Sequence, residues 1–140
     1  MRLVFNNWLS VLVFSICITF VSCKDKNQNT SGGQPIINFI TKEFDFGTIS
    51  EGEKVQYSFK FVNAGNGDLI IKSAEASCGC TVPKFSDKPV RPGEQGEIIV
   101  EFNSEGKPGA AAKTVTVRSN TNPEITILTI KGEVIPKPKK

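Results

Sequence analysis

No histidine occurs anywhere in this 140-residue chain. That absence excludes a Ser-His-Asp triad, a Cys-His nucleophile pair and any histidine-ligated metal site. Excess charge is also scarce. A formal net charge of +3 is too small to point to nucleic acid as a partner. Long apolar runs are missing too. The most apolar stretch, Trp8 to Val21, covers 14 residues, short of the roughly 20 that a membrane-spanning helix needs. It carries the only tryptophan, so the rest of the chain lacks the core tryptophan of an antibody-type domain. No stretch repeats at helical period. What is present, 39% hydrophobic and 22% charged residues, suits one small soluble domain.

The apolar run has the length of a signal-peptide core, with Arg2 as a weak positive n-region. It ends in Phe20-Val21-Ser22-Cys23 and turns abruptly polar at Lys24-Asp25-Lys26. This junction resembles the bacterial lipobox, in which a small residue precedes an acylated cysteine; Phe20 stands where that pattern prefers leucine. The resemblance implies lipidation of Cys23 and a stable multi-chain anchor. Residues 24–35 offer no apolar side chain other than proline and cannot join a core. As a flexible tether they reach about 20 Å. The expected layout is a signal peptide over 1–22, a lipidated cysteine and tether over 23–35, a domain over 36–135 and a basic tail over 136–140. The tail is expected to be frayed.

From Ile36 onward Gly, Pro and Asn punctuate short apolar segments, the signature of an all-β sandwich. Lys54 to Asn63 alternates strictly, with Val55, Tyr57, Phe59 and Phe61 on one face and Gln56, Ser58 and Lys60 on the other. Such alternation gives one buried and one wet face. Further strands are expected at Ile36–Ile40, Phe44–Gly47, Leu69–Ser73, Gly96–Phe102, Lys113–Arg118 and Ile125–Val134. Pro83 and Pro89 argue against a central strand around them. About seven strands in roughly 100 residues predict an immunoglobulin-like β-sandwich. Glu97 and Glu101 fall opposite Ile98, Val100 and Phe102 on their strand and are expected on its solvated side.

Several motifs carry a more specific likeness. Phe44-Asp45-Phe46-Gly47-Thr48-Ile49, Phe59 to Gly65 (FKFVNAG), Leu69-Ile70-Ile71, Ser77 to Thr81 (SCGCT), Pro92-Gly93-Glu94 and Ile130-Lys131-Gly132 stand in this order. In order and spacing they resemble the bacterial domain-of-unknown-function family numbered 1573, common in lipoproteins and exported proteins of the Bacteroidota. The match spans about Ile37 to Val134. Such domains are similar to the sandwich of sperm-protein and cilia-associated proteins, which include non-enzymatic scaffolds. The resemblance implies the fold and carries no assigned activity.

With Cys17 leaving in the signal peptide and Cys23 lipidated, Cys78 and Cys80 remain as a thiol pair. Four readings are open. An exported chain favours a disulfide, for which the backbone must bend, and Gly79 between them is the candidate hinge. A redox site is the second, although thiol–disulfide chemistry usually has two intervening residues near a helix start, with a cation such as Lys72 or Lys84 at hand. Cu(I) binding by two thiolates is the third; two packed, inert thiols are the fourth. The functional expectation is a non-enzymatic binding or scaffold module with no cofactor and no metal. It is held to a bacterial membrane, the outer one, through its lipid, faces the periplasm or the outside, and meets an envelope protein. The alternative is a thiol-disulfide or Cu(I)-handling protein.

Overall fold

The computed structural model describes residues 32–138. The signal peptide, Cys23 and most of the tether lie outside the described residues, as do Lys139 and Lys140. Among the described residues there is no helix long and apolar enough to cross a membrane.

Eight strands follow one another: β1 (Ile37–Phe39), β2 (Glu43–Ser50), β3 (Lys54–Asn63), β4 (Ile71–Ala76), β5 (Thr81–Phe85), β6 (Gln95–Asn103), β7 (Gly109–Ser119) and β8 (Ile125–Ile135). They form two four-stranded sheets, ordered β1-β3-β6-β5 and β2-β8-β7-β4. All pairs are antiparallel except β2 with β8. The chain passes between sheets after β1, β2, β3, β4 and β6; the β1–β2 and β4–β5 connections join edge strands at opposite sides of the sandwich. The immunoglobulin-like expectation holds, with one strand more than expected because Thr81–Phe85 forms β5.

Alternation builds the core as the sequence indicates. Phe59, Phe61, Ile98, Val100 and Phe102 point inward from the first sheet, and Ile71, Val115, Val117, Leu128, Ile130 and Val134 from the second. Each large buried side chain contributes about 1.5 to 3 kcal/mol through removal from water. Aromatic rings bridge the layers: Phe44 of β2 stacks on Tyr57 of β3 at 3.9 Å between centroids, and Phe46 on Phe102 at 5.6 Å. Two glycines make room for rings. A Cβ at Gly132 would run into the Phe46 ring, and one at Gly96 into the Phe61 ring.

Three boundaries differ from expectation. The strand expected at Leu69–Ser73 begins at Ile71. Leu69 instead bridges Val90, and the Asn120 side chain takes the Ile70 N–H at 2.8 Å. β7 starts four residues early, because Ala110-Ala111-Ala112 pair with Lys131–Glu133 of β8; alanine has little strand propensity of its own, so only the neighbouring strand reveals it. Thr81–Phe85 is a strand despite Pro83, but an edge strand. Cys80 accepts from the Asn103 N–H, so by alternation Val82 and Lys84 face β6 and the proline nitrogen faces the open side.

Asn63, fully buried at the end of β3, holds three segments together. Its Nδ2 donates to the Gly67 carbonyl at 2.7 Å and the Val90 carbonyl at 2.9 Å. Its Oδ1 accepts from Ile36 N–H at 3.3 Å and Gly65 N–H at 3.0 Å. On the outer face of the second sheet, Lys131 pairs with Glu43. The hydrogen bond to Glu43, and then its charge, raise the Lys131 pKa; desolvation opposes this and Asp45 adds to it. A raised lysine pKa gives stability that is complete at neutral pH and fades only as pH climbs through the raised value.

Replacing Asn63 strands several buried donors and acceptors at once. Asn63→Ala is expected to lower unfolding free energy by at least about 2 kcal/mol in urea denaturation. The exposed Lys60→Ala should change it by less than about 0.5 kcal/mol.

Candidate functional site

Cys78 and Cys80 lie in the loop that carries the chain from β4, the edge of one sheet, to β5, the edge of the other. They form a disulfide with Cα atoms 5.3 Å apart. Two residues along an extended strand are separated by about 6.6 Å, so the chain is contracted here, as the spacing required. Ser77 fastens the loop to β7: its N–H donates to the Thr114 carbonyl at 2.9 Å, and its Oγ accepts from Thr114 N–H at 3.2 Å. The Thr81 N–H donates to the Cys78 carbonyl at 3.2 Å, closing a turn. The Cys80 carbonyl accepts from Asn103 N–H at 2.9 Å, which fastens the other end to β6. Cys80 packs against the core, and the buried Thr81 hydroxyl lies 3.6 Å from the Cys78 sulfur and 3.9 Å from that of Cys80.

The bend does not use the conformational freedom assigned to Gly79. Its φ is outside the left-handed region, and a Cβ there would meet nothing within 4 Å. Ser77 is anchored on one sheet and Cys80 on the other, and the contracted stretch lies between these two anchors. Neither candidate lysine is committed to the pair. Lys72 is bound to Glu124 at 3.1 Å, and Lys84 lines a groove beside β6. As a closed disulfide the pair offers no thiolate for metal or nucleophilic chemistry. Among the described residues no cluster of three or more His, Cys, Asp or Glu side chains is placed to hold a metal.

The carboxylates set aside in the sequence have structural partners. Glu97 accepts from the Ser58 hydroxyl and Glu101 pairs with Lys54 at 3.6 Å, both on the outer face. Glu51 accepts from Gly106 N–H at 3.1 Å and from Lys137 N–H at 3.2 Å, while Lys137 Nζ reaches Glu105 at 3.4 Å. The expectation of a frayed tail is therefore corrected for Lys137, whose backbone and side chain are both tied to loop carboxylates.

Two surface features escaped the sequence. One is an open groove of about 480 Å³ beside the end of β5, lined by Phe85, Lys88, Pro89, Val90, Glu97 and Ile99 among others. The sequence signal for it was Pro89, which argues against a central strand there. The other is the outer edge of β1, flanked by Ile36 and Ile40, which are 51% and 71% exposed. Apolar side chains in a strand-like run gave no reason to expect exposure.

The family model described as "Protein of unknown function (DUF1573)" matches residues 37–134. No curated protein matches the chain. Among solved structures, a protein of unknown function from Porphyromonas gingivalis W83 is similar at a TM-score of 0.63 and 16% identity, over 71% of this chain and 47% of that one. The PapD-like domain 7 of human CEP192 is similar at 0.59 and 12% identity, over 73% of this chain and 87% of that one. The secreted serine protease VesC of Vibrio cholerae is similar at 0.55 and 11%, but over only 23% of its length. This chain thus spans less than half of the Porphyromonas protein, and likenesses at such identities show the fold alone.

The loop anchoring yields a test. Gly79→Ala should leave the disulfide formed, judged by intact mass before and after alkylation, and shift stability by less than about 1 kcal/mol. Cys78→Ser with Cys80→Ser should cost less than about 2 kcal/mol, since so short a ring removes little chain entropy.

Proposed function

For this chain, which belongs to the DUF1573 family of proteins of unknown function, we propose the role of a non-enzymatic binding module tethered in the bacterial envelope. The observation that supports it most is where the exposed apolar groups lie. Ile36, Ile40, Ile125, Ile127 and Ile135 are all at least 43% exposed, and all sit on or beside strands of a firmly cored sandwich. A rigid sheet that leaves isoleucines and an open strand edge in water is built for contact through its backbone and those side chains. The closed Cys78–Cys80 disulfide fits a clip between the sheets in this reading. The lipobox-like Phe20-Val21-Ser22-Cys23 supplies the anchor, and residues 24–35 the reach.

Two measurements test the reading. Cys23→Ser should move the protein from the membrane pellet to the soluble fraction; unchanged retention would remove the lipid anchor from the proposal. Cells producing the Cys78→Ser/Cys80→Ser variant should keep any phenotype that the intact protein restores to a deletion strain. Loss of that phenotype by a folded variant would favour the thiol-disulfide alternative.

A further inference from the structure

We propose that the free edge of β1 is a self-association surface, through which a second copy of this chain adds its own β1 antiparallel about a two-fold axis at Asn38. The proposal deepens the reading of the domain as a binding module and rests on it; the lipid anchor serves only to concentrate the copies.

The backbone sets the geometry. Ile40 N–H donates to the Lys60 carbonyl, and Ile36 accepts from Ala64 N–H. In an antiparallel pair these groups alternate in direction. Residues 36, 38 and 40 therefore spend their backbone groups on β3, while the N–H and C=O of Ile37 and Phe39 point away from it. No strand among the described residues lies on that side, since β1 ends its sheet. The side chains alternate the other way: Phe39 is buried and Ile37 packs against the core, whereas Ile36, Asn38 and Ile40 are exposed.

The other three edges are guarded, each by a known means of preventing sheet extension. β5 carries Pro83, with its missing N–H on the open side, followed by Lys84. β2 carries Glu43 and Asp45 and breaks register between Asp45 and Thr48. β4 breaks register between Ile71 and Ser73 and carries Lys72 and Glu75. By contrast, Gln34 to Thr41 contains no charged residue.

The edge is also its own complement. With the axis at Asn38, Ile37 faces Phe39 of the second copy in a reciprocal hydrogen-bonded pair, and the symmetric pair repeats it. Thr41 N–H then lies opposite the carbonyl of Pro35, which needs no donor of its own. On the outer face Ile36 meets Ile40 of the second copy twice, flanking an Asn38–Asn38 pair. Such cross-strand apolar pairs stabilise a sheet by about 0.2 to 1 kcal/mol each. A shift of one residue in the axis towards the N-terminus sets Phe39 against Pro35, which cannot donate, and Ile36 against Asn38. A shift the other way sets Ile36 against Lys42. The Asn38 register is thus the one that matches apolar with apolar. A two-fold of this kind is isologous and closes at two copies, which removes the exposed edge from both.

The contact is small compared with the 1,200 to 2,000 Å² of a standard stable interface. Association is therefore expected to be weak in free solution and favoured where tethering raises the effective concentration.

The test uses the full chain in isolated membranes. Residues on the two-fold of a non-hydrogen-bonded pair have Cα atoms about 4.5 Å apart, so Asn38→Cys should give a disulfide-linked dimer under mild oxidation. Its yield should exceed several-fold that of Glu75→Cys, an exposed position on another edge, and the background of the unsubstituted chain. Adding Ile40→Lys to Asn38→Cys should return the yield to background, and amide exchange at Ile37 and Phe39 should slow as protein concentration rises. Equal yields from Asn38→Cys and Glu75→Cys, or exchange at Ile37 and Phe39 independent of concentration, would overturn the pairing. Either result leaves the anchor at Cys23 standing, because fractionation of Cys23→Ser reads that separately.

Discussion

The side-chain amide of Asn63 is the interaction on which the arrangement of this sandwich depends. It is withdrawn from water, and its two ends each serve two backbone groups. Those groups belong to the strand entry at Ile36, the turn at Gly65 and Gly67, and the β5–β6 connection at Val90. A buried amide with all its capacity used costs little. One with a partner missing costs the desolvation of each orphan. The network therefore enforces the register of three segments at once. Gly33, Gly65 and Gly67 lie so near neighbouring backbone that a Cβ on any of them would collide with it. Through this cradle the start of the domain is fixed along β3, where β1 forms the rim of its sheet.

At the other side of the sandwich the Cys-Gly-Cys loop performs the corresponding closure. Ser77 grips β7 in one sheet and Cys80 grips β6 in the other, so the chain crosses where two edge strands come together. The disulfide sits inside that crossing. Its chemistry as a pair of thiols is masked by the bond, and its position makes it part of the joint between layers. The two sides of the sandwich differ in what they leave outside. The β4–β5 side is flanked by Pro83, Lys84, Lys72 and Glu75, whereas the β1 side presents uncharged backbone between exposed isoleucines.

Several motifs that carried the family resemblance turn out to touch each other. Phe46 of Phe44-Asp45-Phe46-Gly47 lies over Gly132 of Ile130-Lys131-Gly132, in the parallel pairing of β2 with β8. Asn63, within Phe59 to Gly65, reaches across to Val90 beside Leu69. Residues far apart in sequence thus form two contacts, an aromatic ring on a glycine and an amide on a loop carbonyl. A linear reading records the residue types but not their meeting.

The sequence by itself determined the all-β class, the strict inward and outward faces of β3 and β6, and the presence of a turn at each glycine- or proline-rich interval. These follow from a two-residue period and from local φ preferences, both properties of neighbours in the chain. It also marked Cys78 and Cys80 as a pair needing a bent backbone. Only the tertiary structure decided that Ala110 to Ala112 belong to a strand, that the loop is anchored on both sheets, that Lys137 is bound, and that β1 ends its sheet. Each of these depends on which strand lies alongside which. Strand adjacency is settled by the packing of two sheets and by one buried amide, across separations that no local periodicity encodes.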